Sequence, residues 1–230
     1  MRRLARITGT LLVAAGALTL AWVVVVWRWQ DPFTALYTHV EQSHLAHAYD
    51  RRTQAFRPHL EHRDLAALES SVAAEARADR RTLRRGDPVG RLEIGRIGLD
   101  MVVVQGTDPD TLKKGPGHYV ASGLPGEGHL VYVAGHRTTY LAPFAHIDDI
   151  RVGDDIRFEL PYGTFTYRVT RHYVVPADRT SVLRDHGREL LRLQACHPRF
   201  FATHRYIVDA RLVRVAPRGG DAYPVRAQAS

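Results

Sequence analysis

The chain has 230 residues, a formal net charge of +8 and 45% hydrophobic residues, which suits one well-buried domain with extra segments and excludes two large domains. Its basic charge is compatible with nucleic acid, anionic lipid or an anionic cell-surface polymer, and charge alone does not choose among these partners. The chain contains one cysteine, Cys196, so an intramolecular disulfide is excluded.

Residues 1–30 have three arginines among the first six residues and continue as an uncharged apolar run from Ile7 to Trp27. About 20 helical residues cross a hydrocarbon core of roughly 30 Å. A cleavable signal peptide, the alternative, has an apolar region of ~7–15 residues that ends at a small-x-small site. The matching site, Ala15 to Ala17, lies inside the run. We therefore predict an uncleaved, single-pass membrane anchor that places the rest of the chain outside the cytoplasm.

Residues 31–85 are polar, contain no glycine and show helical spacing of their apolar residues. The apolar residues in question are Phe33, Leu36, Tyr37 and Val40, and then Leu65, Leu68, Val72 and Ala76. This spacing predicts one or two amphipathic helices, interrupted at Pro58, that form a stalk between membrane and domain. The histidine pairs in this segment have no carboxylate or cysteine pattern beside them, so we predict no metal site and no cofactor.

Residues 86–217 contain frequent glycines and about eight short runs of β type. Ile156, Phe158 and Leu160 alternate with polar residues, and a turn at residues 161–163 leads into a second alternating run, which indicates a hairpin. Many short strands between glycine- and proline-containing turns predict an all-β barrel or sandwich. Residues 218–230 are polar without periodicity, and we predict a disordered tail.

The lone cysteine ends one of these strands. In an extracytoplasmic protein it is an inert buried thiol, half of an intermolecular bridge, or a nucleophile. Two sets of side chains alternate along the strand, an apolar set and a polar set. The apolar set is Leu191, Leu193 and Ala195, and the polar set is Arg192, Gln194 and Cys196. Since Cys196 belongs to the polar set, the pattern favours an exposed, reactive thiol.

A thiol with a pKa near 8.5 needs a base or cations nearby to act as a nucleophile at neutral pH. Four histidines are candidates: His136, His146, His197 and His204. His136 is the preferred one because it follows a buried-looking strand and Gly135, which would place its ring at the rim of a sheet. If the strand after Cys196 pairs with the cysteine strand, Arg205 projects to the same side as the thiol.

Six blocks of the chain form a recognisable set: residues 115–119 (GPGHY), 122–128 (SGLPGEG), 134–139 (AGHRTT), 142–144 (APF), 193–196 (LQAC) and 205–208 (RYIV). Together they resemble the sortase family, most nearly its actinobacterial class E type. They occur in the order and at the spacing of the family, over roughly residues 88–216. The resemblance implies an eight-stranded β-barrel and a membrane-anchored cysteine transpeptidase.

The resemblance also assigns residues. It implies that Cys196 is the nucleophile, His136 the general acid and base, and Arg205 the stabiliser of substrate and oxyanion, with Arg199 as a rival for that last role. The family's TLxTC motif reads RLQAC here, so only its leucine and cysteine are kept. Ala195 stands where the family has a threonine that helps line the substrate site, and Tyr119 and Tyr140 are further candidates for the substrate groove.

The implied reaction cleaves an LPxTG- or LAxTG-like sorting signal between Thr and Gly and transfers the acyl group to a cell-wall or pilin amine. Its partners would be secreted proteins that carry the signal and a peptidoglycan precursor or pilin amine, with no nucleic acid. Three alternatives compete with this reaction. An L,D-transpeptidase carries its histidine beside its cysteine, whereas His136 lies 60 residues before Cys196. A papain-like hydrolase would use a histidine that follows the cysteine in the chain, such as His204. A non-catalytic wall-binding domain would need no catalytic cysteine or histidine.

Overall fold

The computed structural model describes residues 2–29, 32–61 and 63–225. The helices are α1 (Arg2–Trp29), α2 (Pro32–Ala55), α3 (Leu65–Thr82) and α4 (Pro109–Leu112). The strands are β1 (Pro88–Ile94), β2 (Leu99–Gln105), β3 (Gly117–His118), β4 (Leu130–Gly135), β5 (Asp155–Leu160), β6 (Gly163–Pro176), β7 (Leu190–His197), β8 (His204–Pro217) and β9 (Tyr223–Pro224). Short 3-10 helices occupy Gly95–Ile97, Ile147–Asp149 and Thr180–Leu183.

The first eight strands form one closed barrel in the order β1-β2-β3-β4-β7-β8-β6-β5, and β5 pairs with β1 to complete the circle. The pairs β2–β3 and β4–β7 are parallel, and the other pairs are antiparallel. Strand β9 adds to the far end of β8. The prediction of an all-β, eight-stranded barrel is confirmed.

Strand alternation explains the barrel core. In the β5–β6 hairpin, Ile156 pairs with Tyr167 and Phe158 with Phe165, and all four side chains are fully buried inside the barrel. The polar residues between them point outward, as the period of two along a strand requires. The hairpin turn predicted at residues 161–163 connects these two strands.

Strands β4, β7 and β8 are covered on both faces. Their inner face belongs to the barrel core, which includes Val133, Leu193 and Val208. Their outer face carries a second apolar group, here called the outer-face cluster. It consists of Leu130, Tyr132, Ala134, Val182 and Ile207. Because Cys196 follows the outer-face alternation of β7, the outer-face cluster and the thiol share one surface.

Helices α2 and α3, in the segment predicted as a helical stalk, pack on the barrel. Helix α3 begins at an N-cap, where the side chain of Asp64 accepts a hydrogen bond from the Ala67 N–H. Its apolar stripe, formed by Leu68, Val72 and Ala76, is buried in the barrel core. The helices were correctly predicted, but their apolar stripes cover the domain.

Helix α2 buries a different face from the predicted one. Leu36, Tyr37 and Val40 are exposed, whereas Leu45 and Tyr49 pack against β2. Polar contacts on the same buried side fix the helix in place. Gln42 accepts from the Val102 N–H at 2.8 Å and donates to the Val102 carbonyl at 3.0 Å, and Thr38 donates to the Lys113 carbonyl at 2.8 Å. Polar residues therefore define this interface, which an apolar pattern does not reveal.

The predicted disordered tail is wrong for its first part, since Tyr223 pairs with Val215 and packs into the barrel core. Residues 226–230 lie outside the described residues. At the other end, Arg2–Val24 has a mean hydropathy of 2.0 over its best window and is long and apolar enough to cross a membrane, a property that signal sequences share.

Candidate active site

The register of β7 and β8 sets Cys196 directly opposite Arg205. Side chains directly opposite each other in an antiparallel pair have Cβ atoms about 5 Å apart. Cys196 is a free, half-buried thiol, and Arg205 is half-buried as well. The thiol and a permanent cation are therefore neighbours on the outer face of the barrel.

His136 directly follows β4, the strand that pairs in parallel with β7. Gly135, the last residue of β4, pairs with Ala195, so the next residue on each strand, His136 and Cys196, emerge at the same end of the sheet. Glycine is required at 135 because a Cβ there would lie 2.6 Å from the Phe144 ring. Phe144 in turn donates its N–H to the His136 carbonyl at 3.0 Å. The glycine–histidine pair thus fits a tightly folded exit from β4.

The His136 ring is half-buried beside Tyr140. The two ring centroids are 5.2 Å apart at an interplanar angle of 36°. Burial lowers the pKa of His136 below its ordinary value, because the charged imidazolium loses hydration there. The neutral imidazole is therefore favoured at neutral pH, which is the form that can accept a proton.

The two candidate arginines differ in their anchoring. Arg205 donates through Nη1 to the carbonyls of Ala202 at 2.7 Å and His204 at 2.9 Å. A guanidinium has five N–H donors, so these bonds leave capacity for a substrate carbonyl. Arg199 instead lies in the exposed β7–β8 loop and donates through Nη2 to the Ala145 carbonyl. Arg205, the residue opposite the thiol, is the better placed of the two.

The remaining candidate histidines have other contacts. His146 is exposed and forms an ion pair with Asp149 at 3.2 Å. His204 is the exposed first residue of β8, with its Nδ1 3.0 Å from the hydroxyl of Thr203. The Nδ1 of His197 accepts a hydrogen bond from Arg137 at 2.9 Å. Among the residues that the structure describes, no group of three or more histidine, cysteine or acidic side chains could hold a metal ion.

The outer-face cluster continues from Cys196 along the sheet as an apolar surface. Tyr119 packs against Tyr132 in an edge-on arrangement with ring centroids 6.0 Å apart, so the structure brings Tyr119 to this surface. Gln194 lies on the same face and accepts a hydrogen bond from the Tyr132 hydroxyl. Ala195, the predicted substrate contact, is 2% exposed and points into the barrel core. That prediction is wrong for its side chain, because alternation sends it to the opposite face from Cys196.

Arg192 occupies the first position of the altered motif and has a structural partner. Its guanidinium forms a two-bond ion pair with Asp209, at 2.6 and 2.8 Å, and both side chains are buried. A third bond runs from Nη1 to the Val182 carbonyl at 2.5 Å. Arg192 therefore ties the segment between β6 and β7 to the outer face of the sheet.

Arg137 is a residue of the site that the sequence did not single out. It is buried, forms an ion pair with Asp148 at 2.6 Å and donates to His197 Nδ1 at 2.9 Å. The same Nη1 lies 3.4 Å from the Cys196 carbonyl, and the guanidinium carbon lies 5.8 Å from the Tyr206 ring centroid. The side chain thus joins the ends of β4, β7 and β8. Its only signal in the sequence was its place in the matching block AGHRTT.

Comparison with known proteins gives one consistent family. A family model described as the sortase domain matches residues 92–213. Sortase D of Bacillus subtilis (strain 168) is 37% identical over 132 residues, which is 56% of this chain and 65% of that protein. The chain spans less than two thirds of the length of each curated relative that it matches.

Solved structures agree with the family model. A Clostridium perfringens Sortase D5 transpeptidase superposes with a TM-score of 0.62 and 25% identity, over 76% of this chain and 99% of that chain. Sortase E from Streptomyces avermitilis gives a TM-score of 0.53 and 31% identity, over 58% of this chain and 93% of that chain. Both D and E types match, so assignment to class E stays a prediction.

Proposed function

Since this chain belongs to the sortase family, we propose that it is a cysteine transpeptidase with Cys196 as its nucleophile. The observation that carries the proposal is the strand register, with Cys196 opposite Arg205 and beside the strand end that leads into His136. An unpaired thiol suits this role, because the sulfur must be free to form a thioester. The proposal for the site thus rests on geometry as well as on family membership.

In the first half of the proposed reaction, the Cys196 thiolate attacks the carbonyl carbon between Thr and Gly of an LPxTG- or LAxTG-like sorting signal. A C–S bond forms, and Arg205 donates hydrogen bonds to the developing oxyanion. The C–N bond then breaks, and the His136 imidazolium gives its proton to the leaving glycine amine. The product is a thioester acyl-enzyme.

In the second half, an amine attacks the thioester carbon and gives a proton to neutral His136. A C–N bond forms, the C–S bond breaks, and Cys196 leaves as the thiolate. The lowered pKa of His136 supports its part as base in this half. It also makes the imidazolium a minor species at neutral pH, so only a small share of the enzyme is ready for the first half at any moment.

The proposed location is the outer side of the cell membrane, with α1 as a single-pass anchor. The length and hydropathy of α1 support an anchor, and the arginines before its apolar run favour an inside N-terminus. Secreted proteins that carry the sorting signal would then be acyl donors. The acceptor would be an amine of a peptidoglycan precursor or a pilin.

The test is a transpeptidation assay on the full chain in detergent, with LPxTG and LAxTG peptides and an added amine. A fragment of residues 86–217 would lack α2 and α3, which cover the barrel, so the full chain is required. We expect product from the wild type. Replacement of the nucleophile, Cys196→Ala, should lower kcat/KM more than about a thousandfold, and Arg205→Ala should lower it about a hundredfold.

His204→Ala is the matched control, since this histidine begins β8, is exposed, and has its ring nitrogen against the hydroxyl of Thr203. We expect kcat/KM near the wild-type value for this variant, whereas His136→Ala should be nearly inactive. A loss with His204→Ala and full activity with His136→Ala would favour the papain-like arrangement. A folded chain that cleaves neither peptide would overturn the transpeptidase proposal.

A further inference from the structure

The chain that follows His136 has an unusual backbone. Tyr140, Leu141 and Ala142 have φ angles of 54°, 58° and 39°, three successive non-glycine residues in the left-handed region. Each such residue is held at an energetic cost, so the surrounding structure must fix the conformation. Within the segment, the Ala142 N–H donates to the Thr139 carbonyl at 2.8 Å. This local bond secures only part of the turn.

The first two turns of α2 supply further contacts. The Tyr140 N–H donates to Thr34 Oγ1 at 3.2 Å. The Tyr37 ring meets the Tyr140 ring edge-on, with centroids 6.4 Å apart and an interplanar angle of 76°. Both the backbone and the side chain of Tyr140 therefore contact residues more than a hundred positions earlier in the sequence.

Tyr140 in turn contacts His136, because the centroids of the two rings are 5.2 Å apart. The helix itself is firmly attached, since Gln42 and Thr38 bond to backbone groups of Val102 and Lys113. A continuous path thus runs from the barrel wall through α2 and Tyr140 to the imidazole.

We propose that the start of α2 positions His136, with Thr34 and Tyr37 as positioning residues that act through Tyr140. The inference rests on the proposed role of His136 in proton transfer. The start of α2, which follows the predicted anchor, would then contribute to catalysis through the position of His136. Proton transfer is sensitive to small displacements of the acid or base, whereas the substrate binds along the sheet surface. Loss of the support should therefore lower kcat and leave KM unchanged.

The variants are made in the full chain. Thr34→Val keeps the shape of the side chain and removes the acceptor, and Thr34→Ser keeps the acceptor. Tyr37→Ala removes the edge contact, and Tyr37→Phe keeps the ring. Leu36→Ala is the matched control, since this exposed residue lies on the same helical turn.

We expect Thr34→Val and Tyr37→Ala each to lower kcat about fivefold, the effect of one lost contact of ordinary strength. KM and the unfolding temperature should stay at their wild-type values. Thr34→Ser, Tyr37→Phe and Leu36→Ala should each keep the wild-type kcat. A wild-type kcat in the Thr34→Val, Tyr37→Ala double variant would overturn the proposal, as would an equal loss in Thr34→Ser.

A second measurement is independent of any activity. Hydrogen exchange of the Tyr140 amide should be at least about tenfold faster in Thr34→Val than in the wild type, because its acceptor is removed. If the wild type proves inactive on sorting signals, the proposed function fails while this measurement still tests the support of the segment. Unchanged exchange at Tyr140 would overturn the positioning role by itself.

Discussion

Arg137 carries a permanent charge in a nearly closed space, at 4% exposure, and its Nε has no hydrogen-bond partner among the residues that the structure describes. Its other nitrogens bond to Asp148 and His197 and approach the Cys196 carbonyl. A planar guanidinium can make bonds in several directions at once, which a lysine ammonium on a flexible stem cannot reproduce. The residue thus fixes the backbone that presents the thiol.

We predict that Arg137→Lys and Arg137→Met both lower kcat/KM by about tenfold to a hundredfold, because the end of β7 loses its fixed position. The measurement is the transpeptidation assay, with circular dichroism to check that the barrel is intact. Arg151→Met is the matched control, an exposed arginine close to the same 3-10 helix, Ile147–Asp149. Full activity of Arg137→Lys would show that the planar guanidinium is not needed to fix the end of β7.

The sequence predicted the neighbours of the thiol and missed Arg137 for a physical reason. Strand alternation fixes which side chains share a face, so Cys196 and Arg205 could be set on one side before the fold was known. Arg137 lies just after a strand, where no periodicity applies. Its partners Asp148 and His197 come from distant parts of the chain, and only the folded protein brings them together.

Among the elements, the segment between β6 and β7 depends on a buried ion pair for its attachment to the sheet. Arg192 and Asp209 bond to each other, and Arg192 also bonds to the Val182 carbonyl in the 3-10 helix Thr180–Leu183. Asp209 has a second, exposed partner in Arg171 at 2.8 Å. Since the segment covers the outer-face cluster, its position shapes one side of the proposed substrate surface.

We predict that Arg192→Leu destabilises the fold by about 3 kcal/mol, because it leaves the buried Asp209 carboxylate with the exposed Arg171 and a long, 3.5 Å bond from the Tyr173 hydroxyl. The double variant Arg192→Leu, Asp209→Leu should recover most of that stability, since an apolar pair replaces the ion pair. In both variants, hydrogen exchange in residues 177–189 should be faster, because the Val182 carbonyl has lost its donor. Thermal unfolding and hydrogen exchange measure the two effects separately.

This prediction would be contradicted if the double variant kept slow exchange in residues 177–189. Arg168→Leu is a suitable control, because this arginine pairs with Asp155 on an exposed part of the barrel, at 2.8 Å. A surface pair of that kind contributes little to stability. We therefore expect hydrogen exchange in residues 177–189 of Arg168→Leu to stay at the wild-type rate.

Helix α2 marks the limit of pattern-based prediction at this scale. Its existence follows from composition, because glycine is missing and helix-forming residues are frequent. Its orientation does not, because the buried side is built around Thr38 and Gln42, whose hydrogen bonds to the barrel replace those with water. Apolar spacing pointed to Leu36 and Val40, which remain exposed.

At the scale of the whole molecule, His118 links the stability of the barrel to pH. Its side chain has no solvent exposure, and its ring nitrogens lie 2.8 Å from Gln105 Oε1 and 2.9 Å from the Gly123 carbonyl. Burial lowers the pKa of His118 from 6.5 to about 4. The folded barrel therefore favours the neutral form of the His118 ring.

A group with a lowered folded-state pKa contributes stability above its unfolded-state pKa, and that stability is lost as the pH falls. We therefore predict that the free energy of unfolding decreases between pH 6.5 and pH 4, with His118 responsible for about 3 kcal/mol of the loss. In His118→Gln, which is also less stable at pH 7, this decrease should be smaller. Denaturant unfolding at several pH values gives the measurement.

The difference between wild type and variant is the quantity to compare, because other groups titrate in the same range. The buried carboxyl of Glu189, for example, has a pKa raised by burial and acts in the opposite direction. His186→Gln, at an exposed position, is the matched control. An identical pH dependence in wild type and His118→Gln would exclude the assignment.

The short connection between α1 and the His136 segment limits how far the proposed active site can lie from the membrane. Thr34, which touches Tyr140, lies five residues after Trp29, the end of α1, a distance of at most about 17 Å along an extended chain. With α1 in the bilayer, as proposed, the thiol works in a thin layer next to the lipid. Donors and acceptors that are held at the membrane would meet it by lateral diffusion at a high effective concentration, whereas released proteins would rarely enter that layer.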